Sequence, residues 1–189
     1  LLELFSRFGD KCNKYLKGMF AYAIWDNYTN KLFCSVDHFG IKPLYYSFFN
    51  QKFIICSEPK IIASLQKDKA PNYKTIYDYL GLGLCDHSEN TFYKEIYRLQ
   101  GGMQFWVDPN GKFIKEKYWE LNNFKTSTKL SYEEAKDNLY EKLSNSLRIG
   151  TTSDMPVGLC MSGGLDSSTM LQILSCFQGF NKGKNGITG

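Results

Sequence analysis

Apolar and polar positions alternate in two different ways along this chain, and the change falls near residue 120. From Gly18 to about Trp119 the pattern is mostly that of half-buried strands. MFAYAIWD (Met19 to Asp26), KLFCSVD (Lys31 to Asp37) and LYYSFFNQKFIICSE (Leu44 to Glu58) are rich in β-branched and aromatic residues and are bounded by turn formers. Asn27 to Asn30 reads as a turn between the first two. Short helices are predicted at about Lys60 to Leu65 and Tyr73 to Leu80, and Met103 to Trp119 closes the region as a hairpin over Asp108-Pro109-Asn110-Gly111. The region reads as an antiparallel meander within an α+β half. Ahead of it, Leu1, Leu2, Phe5, Phe8 and Cys12 recur near helical spacing. Residue 1 is Leu and already lies in that periodic segment, so the start is expected to be cut.

After Trp119 the run ELNNFKTSTKL is polar and has no period, which suits a linker. The organisation expected is therefore a domain over 1–120, a linker over 121–130 and a second domain over 131–189. Ser131 with Glu134 three residues later makes a capping box, and Tyr132, Ala135, Leu139, Leu143 and Leu147 follow at helical spacing. The turn-like Arg148 to Asp154 leads into an apolar run, Pro156 to Met161, read as a buried strand. A glycine loop comes next, then a second helix from Asp166 to Phe177. Helix, strand, loop, helix is the opening of a parallel α/β domain.

Composition narrows the partners. The 189 residues are 43% hydrophobic, enough for one large domain or parts of two. The 23 basic and 19 acidic residues give a net charge of +4 and are interspersed, with no block that would grip a nucleic acid. Six cysteines, at 12, 34, 56, 85, 160 and 176, form no Cys-x-x-Cys pair, and His38 and His87 stand alone, which argues against a structural zinc site. No apolar run is long enough to cross a membrane and no secretory leader opens the chain. Reduced thiols and a cytoplasmic location are expected. The sequon Asn27-Tyr28-Thr29 then reads as a turn.

One stretch carries chemistry: MSGGLDSS, Met161 to Ser168, between the apolar run and the second helix. A glycine pair after a strand lets the backbone turn sharply with its N–H groups inward, and the following helix adds its positive end. Such a pocket wants an anion. The hydroxyls of Ser162, Ser167 and Ser168 can donate to phosphate oxygens, while Asp166 beside an anion makes sense with Mg²⁺. A nucleotide polyphosphate fits this set. A Walker loop would need Gly-Lys followed by Ser or Thr, and this loop has no lysine. GFNKGKNG at Gly179 to Gly186 imitates it poorly, with three spacers and Asn185 in place of a hydroxyl. The plainer alternative is an ordinary strand-to-helix turn.

Ser-Gly-Gly-Leu-Asp-Ser-Ser resembles the pyrophosphate loop of the ATP pyrophosphatases, which activate a carboxyl or carbonyl group by adenylation. YLKGMFAYAIWD, DHFGIKPLYY, FIICSEPKII and SDMPVGLCMSGGLDSS occur in the order of glutamine-hydrolysing asparagine synthetases, so the resemblance spans nearly the whole chain. It implies the later part of a class II, Ntn-type glutaminase sandwich of four layers. The start of a doubly wound parallel-sheet ATP pyrophosphatase domain would follow. In that family ammonia from glutamine attacks a β-aspartyl-AMP made from aspartate and ATP, releasing AMP, pyrophosphate and glutamate. Carried over, Ser162, Gly163, Gly164, Leu165, Asp166, Ser167 and Ser168 bind ATP and its pyrophosphate, Asp166 holds Mg²⁺, and Cys160 contacts the nucleotide through its backbone. The partners implied are small molecules, with neither nucleic acid nor membrane, and a homodimer is allowed for the intact enzyme.

The family's nucleophile is an N-terminal cysteine whose own amine is the base. Residue 1 is Leu, so no catalytic residue of glutamine hydrolysis is expected in these 189 residues, and none of the six cysteines can replace it. The acceptor-binding elements are expected beyond the other end. An open sheet edge makes aggregation the expected behaviour of the chain alone. The segment Gly40 to Tyr45 reads as a rigid corner, with Lys42 its only acid-base side chain. Val36 stands where many relatives carry arginine before the aspartate Asp37, so a charge pair is expected to be missing. Ser57 and Glu58 read as a helix cap, and His38 as a surface or packing residue. Two other readings stay open: a ligase of the same architecture acting on another carboxylate, such as a uronic acid or a peptide carboxyl, and a non-catalytic interaction domain.

Overall fold

A computed structural model describes residues 1–66, 69–121 and 129–177. The chain divides into two compact units, 1–124 and 125–189. Most of the expected linker, 122–128, and the GFNKGKNG run lie outside the described residues.

The first unit opens with α1 (Leu2–Phe8). The apolar spacing continues to Cys12, but Gly9 turns left-handed at φ 58° and the chain goes on as a 3₁₀ turn over Gly9–Tyr15. Strands β1 (Ala21–Asp26) and β2 (Lys31–Val36) form a hairpin. In its turn the Asp26 carboxylate accepts the Tyr28 N–H at 2.9 Å and the Thr29 hydroxyl at 2.7 Å. These bonds hold the Asp26 carboxyl below its ordinary pKa, and the sequon is this turn. A second hairpin joins β3 (Tyr45–Phe49) to β4 (Lys52–Cys56). Its loop residues Asn50 and Gln51 are both left-handed, φ 48° and 58°, the twist that a two-residue hairpin favours.

Helices α2 (Pro59–Leu65) and α3 (Tyr73–Leu82) follow, then β5 (Tyr97–Arg98), β6 (Met103–Val107) and β7 (Phe113–Lys117). The strands do not make one meander. They form two antiparallel sheets, β1-β2-β6-β7 and β4-β3-β5. The chain leaves the first sheet after β2, builds the second, and returns to pair β6 with β2, Cys34 opposite Phe105. Strand β5, two residues long, carries no readable period.

Alternation along β2 and β6 decides the layers. Cys34, Val36, Phe105 and Val107 point between the sheets and meet Leu44, Tyr46 and Leu99 in the main core. Phe33 and Trp106, opposite each other in register, point outward and are covered by Phe5 of α1, at ring distances of 5.2 and 5.9 Å. On the far side Ile62 and Ala63 of α2 pack with Ile96, Tyr45 and Ile54. The order is helix, sheet, sheet, helix, the four layers expected.

In the second unit α4 (Tyr132–Gly150) starts at the capping box: Ser131 Oγ accepts the Glu134 N–H, and Glu134 accepts the Ser131 N–H. The helix runs through Arg148 to Gly150, which the sequence suggested as turn. Helix α5 (Leu165–Ser175) buries Ile173 and Leu174. The expected strand at 156–161 is not formed: these residues carry no regular secondary structure and belong to no sheet. An apolar run becomes a strand by pairing, and no parallel neighbour lies among the described residues of this unit.

Candidate functional site

The glycine loop is built as its residue types require. Gly163 is left-handed at φ 76°, and a Cβ placed there would meet nothing within 4 Å. Gly164 is the N-cap of α5, and no side chain caps the helix. Its N–H instead reaches the Ser162 hydroxyl at 3.4 Å. Ser162, Gly163, Gly164, Leu165, Asp166 and Ser168 are exposed, and so is Cys160. Ser167 alone of the set is buried; its hydroxyl lies 3.2 Å from the Gly164 carbonyl and 3.1 Å from Ser162 Oγ. The loop thus presents hydroxyls, backbone N–H groups, the positive end of an eleven-residue helix and one first-turn carboxylate, Asp166. That donor set fits a polyphosphate with a divalent cation. The cation's contribution would be neutralisation of phosphate charge, with Asp166 the carboxylate available to hold it.

In the first unit the chemistry-bearing residues serve geometry. Asp37 is 1% exposed, and its carboxylate accepts four backbone N–H groups. They come from Phe20 at 3.3 Å, Phe39 at 3.1 Å, Ile41 at 3.0 Å and Lys42 at 2.9 Å. This is what makes Gly40 to Tyr45 a rigid corner. The carboxylate needs no arginine at 36; Val36 is free to fill the core, and its carbonyl accepts the Tyr118 hydroxyl at 2.7 Å. Burial first, then the Asp37 charge, pushes the Tyr118 phenol above its ordinary range. The Arg98 guanidinium donates to the Gly40 carbonyl at 2.9 Å and pairs with Asp86. Lys42 is exposed. His38 packs edge-on against Tyr118 and Trp119, at 5.6 and 5.2 Å, as a packing residue.

The capping explanation for Ser57 and Glu58 fails: Glu58 is the N-cap of α2 but makes no side-chain cap bond, and Pro59 stands in the first turn. Proline lacks one of the N–H groups a cap would satisfy. Glu58 instead lies 3.7 Å from Lys60 at the surface. Sequence reading noticed Asp37 only for a missing charge pair, not for its role in the corner, and missed Arg98, Gly101 and Gly102. Asp37, three residues before Gly40, had a local signal, since aspartate commonly accepts N–H groups of a turn it precedes. The others had none, because what they meet comes from other segments of the chain: Arg98 reaches Gly40, Gly101 faces Phe39 and Gly40, and Gly102 faces Trp119.

Compared with known proteins, residues 1–119 match the family model described as a glutamine amidotransferase domain. The chain belongs to that family. Residues 138–180 match the asparagine synthase model, so the glycine loop lies in the second match. The amidotransferase chain is 33% identical over 188 residues to a putative asparagine synthetase [glutamine-hydrolyzing] 2 of Methanocaldococcus jannaschii, covering 96% of this chain and 36% of the relative. It is 29% identical over 180 residues to asparagine synthetase [glutamine-hydrolyzing] 1 of Bacillus subtilis, covering 94% and 28%. It is also 26% identical over 182 residues to amidase chry2 of Gibberella zeae, covering 93% and 26%. The resemblance to glutamine-hydrolysing asparagine synthetases thus holds across both units, and the chain spans about a third or less of the length of these relatives. No helix among the described residues is long and apolar enough to cross a membrane.

Proposed function

We propose that this chain belongs to a longer glutamine-dependent ligase that amidates aspartate. In this reading the first unit is part of the domain that releases ammonia from glutamine. The second begins the domain in which aspartate and ATP give β-aspartyl-AMP and pyrophosphate, and ammonia then displaces AMP to leave asparagine. The observation that carries the reading is the order on one chain, an amidotransferase sandwich followed by a glycine loop at a helix start with three serines and Asp166. Ser162, Ser168 and the loop N–H groups hold the pyrophosphate of ATP. Asp166 holds Mg²⁺, and Cys160 lies beside the nucleotide with its backbone. Charge stabilisation preorganised around the departing pyrophosphate is the main catalytic contribution of such a loop.

A second reading, the same architecture acting on another carboxylate, is favoured by the relative named an amidase. Both readings are tested in the full-length protein by measuring pyrophosphate release from ATP with ammonium and a panel of carboxylates. Release that depends on aspartate supports the first, and release that depends on another acid supports the second. No release with any carboxylate, together with no ATP binding, would leave the non-catalytic interaction domain.

A further inference from the structure

We infer that a cavity beside Arg98 binds a small carboxylic acid with an apolar body, and that the Asp86 carboxylate is a built-in substitute for the acid's own. The site lies in the first unit and is independent of the glycine loop. The cavity holds about 230 Å³ among β3, the first turns of α2 and α3, and the segment that joins α3 to β5. Tyr45, Leu84, Phe92 and Tyr93 make its walls mostly apolar, and Asp86 is the one charged residue among the described residues that line it. Asp86 pairs with Arg98. Arg98 is in turn the register partner of Tyr45 where β5 meets β3, which puts both side chains on one face of the sheet.

Arg98 is fixed and Asp86 is not. The Arg98 side chain is 18% exposed, and the Gly40 carbonyl accepts from its guanidinium at 2.9 Å, so it keeps its place whatever its acidic partner does. A guanidinium so far withdrawn from water needs an anion beside it, and its forked donors suit any carboxylate. The Asp86 side chain is 63% exposed. An ion pair with so exposed a member contributes little. The segment around Asp86 is anchored at its ends by the Leu84 N–H on the Asp78 carbonyl at 3.2 Å and by the Arg98 N–H on the Glu89 carbonyl at 2.7 Å. Between those anchors its bonds to the rest of the unit are made by side chains, Asp86 to Arg98 and His87 to Asp78 at 3.1 Å. A ligand carboxylate can therefore take Asp86's place on Arg98 while the ligand's apolar body fills the cavity.

The test reads the cavity from its own wall. Cys85 is exposed and lines it, so in the full-length protein the rate at which iodoacetamide labels Cys85 is followed by peptide mass spectrometry, with Cys160 of the second unit as the control. The probe is phenylpropionate, and phenylpropionamide, equal in size and uncharged, is the comparison. The acid should slow Cys85 labelling with half-protection on the order of 1 mM, an affinity suited to about eleven non-hydrogen atoms, and leave Cys160 unaffected. The amide should protect ~10-fold more weakly or less. Asp86 is left-handed at φ 56°, which asparagine also tolerates. Asp86→Asn therefore removes only the competing charge, and half-protection should move to a ~5- to 10-fold lower concentration of acid. Arg98→Gln should reduce the acid to the level of the amide; should that variant not fold, acid against amide on the unsubstituted protein asks the same question. Equal protection by acid and amide would show that Arg98 takes no part, and unchanged half-protection in Asp86→Asn that Asp86 does not stand in for the acid. Protection of Cys160 alongside Cys85, or no protection in either protein, would show that the cavity is no such site. Each of these results overturns the inference.

Discussion

Two regions of this molecule use adjacent glycines, and they use them for opposite reasons. At the corner of the first unit, a Cβ on Gly101 would lie 2.6 Å from the Phe39 carbonyl carbon. One on Gly102, left-handed at φ 70°, would lie 2.5 Å from the Trp119 carbonyl oxygen. One on Gly40, left-handed at φ 65°, would lie 3.0 Å from the Gly101 nitrogen. Three backbone segments meet there with no room for side chains, tied by the Gly102 N–H to the Asp37 carbonyl at 2.9 Å and the Tyr118 N–H to the Gly102 carbonyl at 2.8 Å. At Gly163 a Cβ would meet nothing within 4 Å, and the glycine answers only to backbone shape. The crowded glycines hold the corner together, whereas Gly163 is needed only for the left-handed turn of its loop. The surroundings agree. The corner sits against a core of fully buried side chains, whereas α4, nineteen residues long, buries none.

The contrast is tested most strongly at the corner. Gly102→Ala should destabilise the first unit by on the order of 4 kcal/mol, from overpacking against backbone plus left-handed strain. Urea unfolding followed by tryptophan fluorescence reports on this unit alone, because Trp25, Trp106 and Trp119 all belong to it. A loss under ~1 kcal/mol would show that the crowding relaxes easily. On the loop side, Asp166→Asn keeps the shape and removes the charge, so pyrophosphate release in the full-length protein should fall roughly 10²- to 10³-fold. Its melting temperature should stay unchanged, and an unaltered rate would remove Asp166 from the site.

The same substitution as at the corner, made in the loop, sharpens the comparison. Gly163→Ala meets open space and carries only the left-handed cost of about 1–2 kcal/mol, and it should weaken Mg²⁺-pyrophosphate binding more than it lowers the melting temperature. The smallest effect belongs to the α4 cap, where Ser131→Ala should reduce stability by about 1 kcal/mol, seen as lost helicity. The Ser131 N–H and hydroxyl hold the Glu134 carboxyl below its ordinary pKa. A depressed carboxyl contributes stability above its unfolded pKa and loses it as pH falls through the folded one. Helicity should therefore drop on acidification below about pH 4, and Glu134→Gln should flatten that drop.

Much of the chain was legible because its determinants are local. The Asn27 to Asn30 turn, the Asp108 to Gly111 turn, the α4 capping box and the MSGGLDSS loop each depend on residues within a few positions of one another, where side-chain hydrogen bonds and φ preferences act without help. The motif order along the chain likewise pointed to the amidotransferase family before any coordinate was known.

Tertiary structure decided the rest, for one physical reason: pairing and burial need a partner from elsewhere in the chain. Alternation showed that β2 was a strand, but not that β6, some seventy residues on, would be its neighbour and divide the meander into two sheets. Beside Val36, Asp37 read only as an aspartate whose charge pair was missing, until the fold brought four N–H groups around it. Gly101 and Gly102 gained their necessity only when Phe39 and Trp119 closed on them. Residues 156–161 had the composition of a buried strand and formed none, because a strand exists only where a second one offers its N–H and C=O groups.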